Sequence, residues 1–152
     1  TMLTLHAMGG PSMMEAAVDA VEKIERAPLL LAVTVLTSMD ASDLSAVGVP
    51  DSPQDQVVRL AKLAHSAGVA GLVCSPQEVA AVRQAIGNEP LLVVPGVRPA
   101  GTEGTDDQAR IATPSQAIAA GASMLVVGRP ITQAPDPGRA AAAILAEIES
   151  AS

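Results

Sequence analysis

Phenylalanine, tyrosine and tryptophan are absent from this 152-residue chain, although 49% of its residues are hydrophobic. Any core must therefore be built from Ala, Val, Leu, Ile and Met. Charge is also scarce, at 16% of residues, and this excludes a disordered chain, which would be polar, charged and poor in Val, Ile and Leu. Nine basic residues face sixteen acidic ones, a net charge of −7. That balance excludes a nucleic-acid footprint, so any anion must be held by a few placed groups and not by the overall field. Cysteine occurs once, as Cys74. It cannot form an internal disulfide, no metal-ligand spacing surrounds it, and a reducing, cytoplasmic setting is the simplest expectation.

Long apolar runs are missing too. The longest, Leu29–Leu36, is broken only by Thr34 and falls far below the roughly 20 residues that span a membrane. The start of the chain lacks the basic-then-apolar order of a signal peptide. The expectation is a soluble protein with neither membrane nor nucleic acid as a partner. Lysine occurs only at Lys23 and Lys62, both inside expected helices, so no strand end offers an ammonium group. No Ser-His-Asp order, HExxH, P-loop or GxGxxG is present.

What the chain does contain is a repeated alternation. Continuous apolar runs at Met2–His6, Leu29–Leu36, Ala70–Cys74, Leu91–Pro95 and Ser123–Val127 predict parallel strands buried on both faces. Ala-rich helical stretches follow at Ser12–Arg26, Pro53–Ala67, Pro76–Ile86, Pro114–Ala120 and Asp136–Glu149. Ser12, Ser52, Ser75 and Thr113 are placed as N-caps, several just before a proline suited to a first helical turn. Gly68, Gly87 and Gly121 stand where left-handed C-terminal caps are wanted.

Five β-α units of roughly 30 residues account for residues 1–152 as a single α/β domain. A closed eight-unit barrel needs about 250 residues, so length leaves an open doubly wound sheet or five-eighths of a barrel. Ligands in either architecture bind beyond the C-terminal ends of the strands. Two successive ends, Pro95-Gly96-Val97-Arg98-Pro99 and Val127-Gly128-Arg129-Pro130, each place a glycine and then an arginine there. Glycine admits close backbone approach and the guanidinium fork matches phosphate oxygens, so these ends point to a phosphate site. The competing reading is a pair of turns with solvated arginines.

Gln108 belongs to the long connection Gly96–Thr113, which suits a binding loop or lid, or is a solvated loop residue. Thr37 and Ser38 end the second run with hydroxyls able to bond an amide-like ring edge, or they merely terminate a strand. His6 is expected to be packed and hydrogen-bonded, and Cys74 a small core hydrophobe. Asp106 and Asp107 form a solvated pair or orient Gln108 or Arg110.

In order, the segments Leu5–Gly10, Leu30–Met39, Gly71–Pro76, Leu92–Pro99, Asp107–Arg110, Thr113-Pro114 and Val126–Ile131 resemble the bacterial form of orotidine 5′-phosphate decarboxylase over essentially the whole chain. The resemblance implies a (β/α)8 TIM barrel, of which these units would be strands 4–8. It also implies decarboxylation of orotidine 5′-monophosphate to UMP without metal or organic cofactor, in a homodimer. By resemblance, Arg98, Gln108, Gly128 and Arg129 contact the phosphate end, and Thr37, with Ser38, sits at the pyrimidine.

The family's Asp-x-Lys-x-x-Asp segment, on its first three strands, has no counterpart here. The expectation is therefore the C-terminal part of the enzyme, with no catalytic residue of its own and no activity alone. The alternative is a non-catalytic, open α/β module that binds a nucleotide or sugar phosphate.

Overall fold

The computed structural model describes residues 1–99 and 110–150. Five strands, β1 (Met2–His6), β2 (Leu29–Val33), β3 (Gly71–Val73), β4 (Leu91–Val94) and β5 (Met124–Leu125), form one parallel sheet in the order β1-β2-β3-β4-β5. That order decides between the two architectures left open by length. A doubly wound sheet reverses its strand order at a switch point, whereas a barrel wall adds each strand beside the last. The chain has the topology of a barrel wall, opened at β1 and β5.

The intervening helices are α1 (Pro11–Val21), α2 (Ala41–Ala46), α3 (Pro53–Ser66), α4 (Val79–Ile86), α5 (Pro114–Ala119), α6 (Arg129–Thr132) and α7 (Pro137–Glu149). Short 3-10 turns at Ala7–Gly9 and Pro76–Glu78 join strand ends to α1 and α4. Local chemistry explains most starts. Ser52, Thr113 and Asp136 accept from the backbone N–H groups of Asp55, Gln116 and Arg139, and proline follows each directly. Ser75 does the same for Gln77, but on the 3-10 turn.

Ser12 does not cap α1, which begins at Pro11 with Gly10 before it and no side-chain cap. The proline fixes the first helical φ, so the helix starts one residue earlier. It also stops at Val21 and not Arg26, because the chain must turn before Pro28 to enter β2. Lys23 therefore lies in an exposed turn, not a helix. The unexpected α2 starts with a reciprocal capping box: Asp40 accepts from the N–H of Asp43 at 3.0 Å, and Asp43 accepts from that of Asp40 at 3.0 Å.

Right-handed crossovers between strands in sequential order put every helix on the same face of the sheet. Leu30, Ala32, Leu72, Leu92 and Val94 point to that face and join Val57, Leu60, Ala61, Val79, Val82 and Ala117 in one aliphatic core. Alternate residues point the other way. There Leu31 and Val93 stay buried, but Met2, Leu29, Met124 and Val126 are exposed. Burial on both strand faces, expected from the continuous runs, is thus met only in the middle of the sheet. Position 71, on this second face, is glycine because a Cβ there would fall 2.7 Å from Leu31 Cδ2 and 2.8 Å from the Leu91 carbonyl oxygen. At the opposite rim from the strand C-termini, Arg83 gathers the Gly121 and Pro90 carbonyls at 2.8–3.0 Å and the Ser123 hydroxyl at 3.0 Å. It ties α4 to the entries of β4 and β5.

Two open sheet edges and an uncovered apolar face favour association with another chain. A 152-residue chain is expected to sediment as oligomers, and Met2→Lys with Met124→Lys to shift it toward monomer with little change in unfolding stability.

Cys74 is fully buried in the core, and burial, helped by the charge of Glu78, pushes its thiol up to about 12. The folded chain is expected to resist thiol-reactive dyes at pH 8 and to react on unfolding. The folded thiol keeps a proton that an unfolded cysteine releases near 9.0. Stability should therefore fall as pH rises from about 9 to about 12.

Candidate functional site

Beyond the C-terminal ends of the strands, backbone pairing continues and fixes where each loop begins. Thr34 donates both its N–H, at 3.1 Å, and its hydroxyl, at 2.8 Å, to the Val73 carbonyl. The Val126 N–H reaches the Val94 carbonyl at 3.0 Å. Past β4, Gly96 adopts φ 79°, a left-handed turn that glycine accepts at little cost, and so redirects the chain. Val97 then pairs with Ala112 in a parallel bridge, and the Arg98 N–H donates to the Ala112 carbonyl at 2.9 Å. The backbone on which Arg98 sits is therefore pinned to the segment at Ala112.

These ends enclose a cleft of about 170 Å³ lined by Thr37, Pro95, Gly96, Arg98, Val126, Gly128 and Arg129. Four residues singled out from the sequence, Thr37, Arg98, Gly128 and Arg129, thus share one space. Arg98 is 9% exposed, its Nη1 donates to the Val97 carbonyl at 2.8 Å, and it also borders a recess of about 150 Å³ with Pro99, Thr113 and Gln116. Arg129 is exposed at the start of α6, directly after β5 and its exit segment. Thr37 is half-buried in the turn after β2.

Gly128 is informative in another way. Among the described residues other than its chain neighbours, a Cβ built on it would meet no atom within 4 Å, so close contact does not account for the glycine. Ser38 is exposed in the same turn as Thr37 but does not line the cleft. Gln108, like Asp106 and Asp107, lies outside the described residues.

Two charged residues overlooked as a pair lie beneath this surface. Arg110 Nη1 donates to Glu78 Oε1 at 2.6 Å, with side chains 8% and 3% exposed. Its Nη2 donates to the Leu36 carbonyl at 2.8 Å, and the Val35 carbonyl lies at 3.5 Å. The Ser75-Pro76-Gln77-Glu78 sequence has the form of a capping box, which would turn Glu78 back toward Ser75. Its carboxylate goes instead to a residue 32 positions away, a pairing that no local pattern could reveal.

His6, expected to be packed, is exposed at the end of β1, because the edge strand has no neighbour on its outer side. Lys23 and Lys62 are both exposed, in the turn after α1 and on α3. Neither borders the cleft.

Comparison with known proteins places this arrangement in context. The chain is 55% identical to the orotidine 5′-phosphate decarboxylase of Gluconobacter oxydans (strain 621H), over 99% of this chain and 65% of that protein. It is 59% identical to that of Anaeromyxobacter sp. (strain K), over 97% of this chain and 63% of that one. A crystal structure of orotidine 5′-phosphate decarboxylase from Lactobacillus acidophilus superposes with a TM-score of 0.79 at 39% identity, covering 97% of this chain and 63% of that chain. The chain thus spans a little under two thirds of the length of these relatives. A model of the Orotidine 5′-phosphate decarboxylase / HUMPS family matches residues 1–144. With five parallel strands in barrel order and these relatives, the chain belongs to that family.

Proposed function

We propose that this chain supplies the phosphate side and part of the pyrimidine side of an orotidine 5′-monophosphate decarboxylase site, and that by itself it does not carry out the reaction. The observation that carries this reading is the convergence of Arg98, Gly128, Arg129 and Thr37 on one cleft. Two arginines and a glycine bordering one cleft suit a dianionic phosphate, since charge-assisted forks are the strong hydrogen bonds of such sites. Thr37, entering from β2, suits a polar edge of the base, with Ser38 beside it and Gln108 closing on the phosphate. At about 170 Å³ the cleft falls short of the 300 Å³ or so at which small-molecule pockets begin, so its walls surround only part of a nucleotide.

Decarboxylation needs a group that stabilises charge developing on the ring as CO2 leaves, and such stabilisation acts only when placed against the transition state. In this family that group is a lysine ammonium flanked by carboxylates, and neither lysine of this chain borders the cleft. The division of labour follows: the arginines hold the remote phosphate, and the reacting end is completed by residues from elsewhere. A cytoplasmic homodimer with no cofactor fits the same reading. The absence of a reacting group also favours a second reading, a nucleotide- or sugar-phosphate-binding module without chemistry.

The purified chain is expected to form no UMP from orotidine 5′-monophosphate. Turnover is expected to appear when it is mixed with a polypeptide carrying the first three β-α units of a relative. UMP binding without turnover in any mixture would favour the second reading, and UMP formation by the chain alone would overturn the first.

The cleft residues separate by their effects. In calorimetry, Arg129→Ala is expected to weaken UMP binding by about 2 kcal/mol, roughly 30-fold, as for loss of a charge-assisted bond. Gly128→Ala is expected to weaken it by about tenfold, because the added methyl would stand at the wall of the cleft.

A further inference from the structure

The buried pair Arg110–Glu78 is divided in an unusual way. A guanidinium facing a carboxylate normally gives two parallel bonds, which is the stronger arrangement. Here only Nη1 meets Glu78, through Oε1, while Nη2 is turned to the Leu36 carbonyl. Glu78 Oε2 and Arg110 Nε are left buried without hydrogen-bond partners. A pair serving stability alone would close the second bond, because an unmade buried bond carries its full desolvation penalty. The fork spans two elements instead, the 3-10 turn after β3 and the exit of β2.

The carbonyl it holds belongs to the peptide that also carries the Thr37 N–H. In a planar trans peptide the two groups point in opposite directions, so fixing the carbonyl fixes the N–H and the start of the Thr37 side chain. Leu36 itself is exposed and contributes little packing to do this. We infer that Arg110, held in place by Glu78, is a positioning residue that sets Thr37 against Arg98, Gly128 and Arg129 across the cleft, and so governs recognition of the nucleobase end and not of the phosphate. This rests on the reading of the cleft as a nucleotide site. Arg110 acts through the peptide and does not border the cleft.

The test compares two ligands, UMP and ribose 5-phosphate, which share the phosphate and differ in the base. Arg110→Met alone would strand a buried carboxylate and endanger folding. The variant of choice is therefore Glu78→Gln with Arg110→Met, which removes both charges. In calorimetry on the 152-residue chain, this variant is expected to bind UMP about tenfold more weakly and ribose 5-phosphate within about twofold of the parent. Thr37→Ala is expected to lower UMP affinity by a similar factor. Adding it to the pair variant should cost little more, since residues acting through one another are not additive.

Equal losses for both ligands, or full additivity with Thr37→Ala, would mean that the pair only supports the fold, and would overturn the inference. So would unchanged UMP binding by the pair variant. If the parent binds neither ligand, the nucleotide reading of the cleft fails and the inference with it. That outcome is distinct from a parent that binds both ligands and a variant that loses no discrimination.

Discussion

One buried ion pair joins three separate parts of the C-terminal rim. Glu78 stands at the end of the turn leaving β3, Arg110 lies just ahead of the segment that pairs with the β4 exit, and the carbonyls that Arg110 reaches belong to the exit of β2. Taking two charges out of water costs several kcal/mol per ion, and apolar residues of similar volume often serve stability at least as well. What an apolar cluster cannot do is aim a peptide. The pair converts the general packing of a β-α sheet into fixed directions for a few backbone groups, and the bridge between Val97 and Ala112 does the same for Arg98 from the opposite side. Among the described residues that line the cleft, Thr37 and Arg98 hang from these two attachments, and the others follow β4 or β5.

The topology that builds this rim also explains what the chain leaves bare. Strands added in sequence with crossovers of one hand must place all their helices on one face, and the opposite face then closes only when a sheet curls into a barrel. In this chain Leu31 and Val93 are covered at the centre, but Met124 and Val126 toward the edge are 44% and 49% exposed. The cleft lies on that same open side, between the exits of β2, β4 and β5, and this accounts for its small volume. On the proposed reading an acidic chain with a net charge of −7 still holds an anion there, because two arginines border one cleft, whereas the diffuse field is screened over about 10 Å.

The sequence made the large features legible because they rest on periodicity and on short-range chemistry. Five apolar runs became five strands, and Ser52, Thr113, Gly68 and Gly87 took the terminal roles expected of their side chains or of positive φ. The failures have equally physical causes. Ser12 was outcompeted by Pro11, and α1 ended early because the approach to β2 needed the residues. Helix α2 was announced by Asp40 and Asp43, a capping box built from two aspartates and easily read as loop polarity. His6 was expected to find partners that an edge strand does not provide. In the site, Thr37, Arg98, Gly128 and Arg129 were visible because each follows an apolar run, whereas Ser38 is exposed and not part of the cleft's lining, and Glu78–Arg110 is a purely tertiary fact.

This distribution of charge says how binding and chemistry can be separated on a barrel. On the proposed reading, phosphate is recognised by fixed positive groups at the last strand ends, and that energy accrues equally to substrate and product, since the phosphate does not react. It helps the reaction only by holding the ring where other groups act, so the arginines supply affinity and orientation but no discrimination between ground and transition state. A cation placed to stabilise charge on the ring must approach the ring itself, and a group at the phosphate end cannot do so. Arg98 and Arg129 flank the same cleft as Gly128, and among the described residues Thr37 is its only side-chain hydroxyl. On the proposed reading the cleft holds the phosphate and leaves the ring to residues from elsewhere, which is the asymmetry expected of a site whose remote half binds and whose other half reacts.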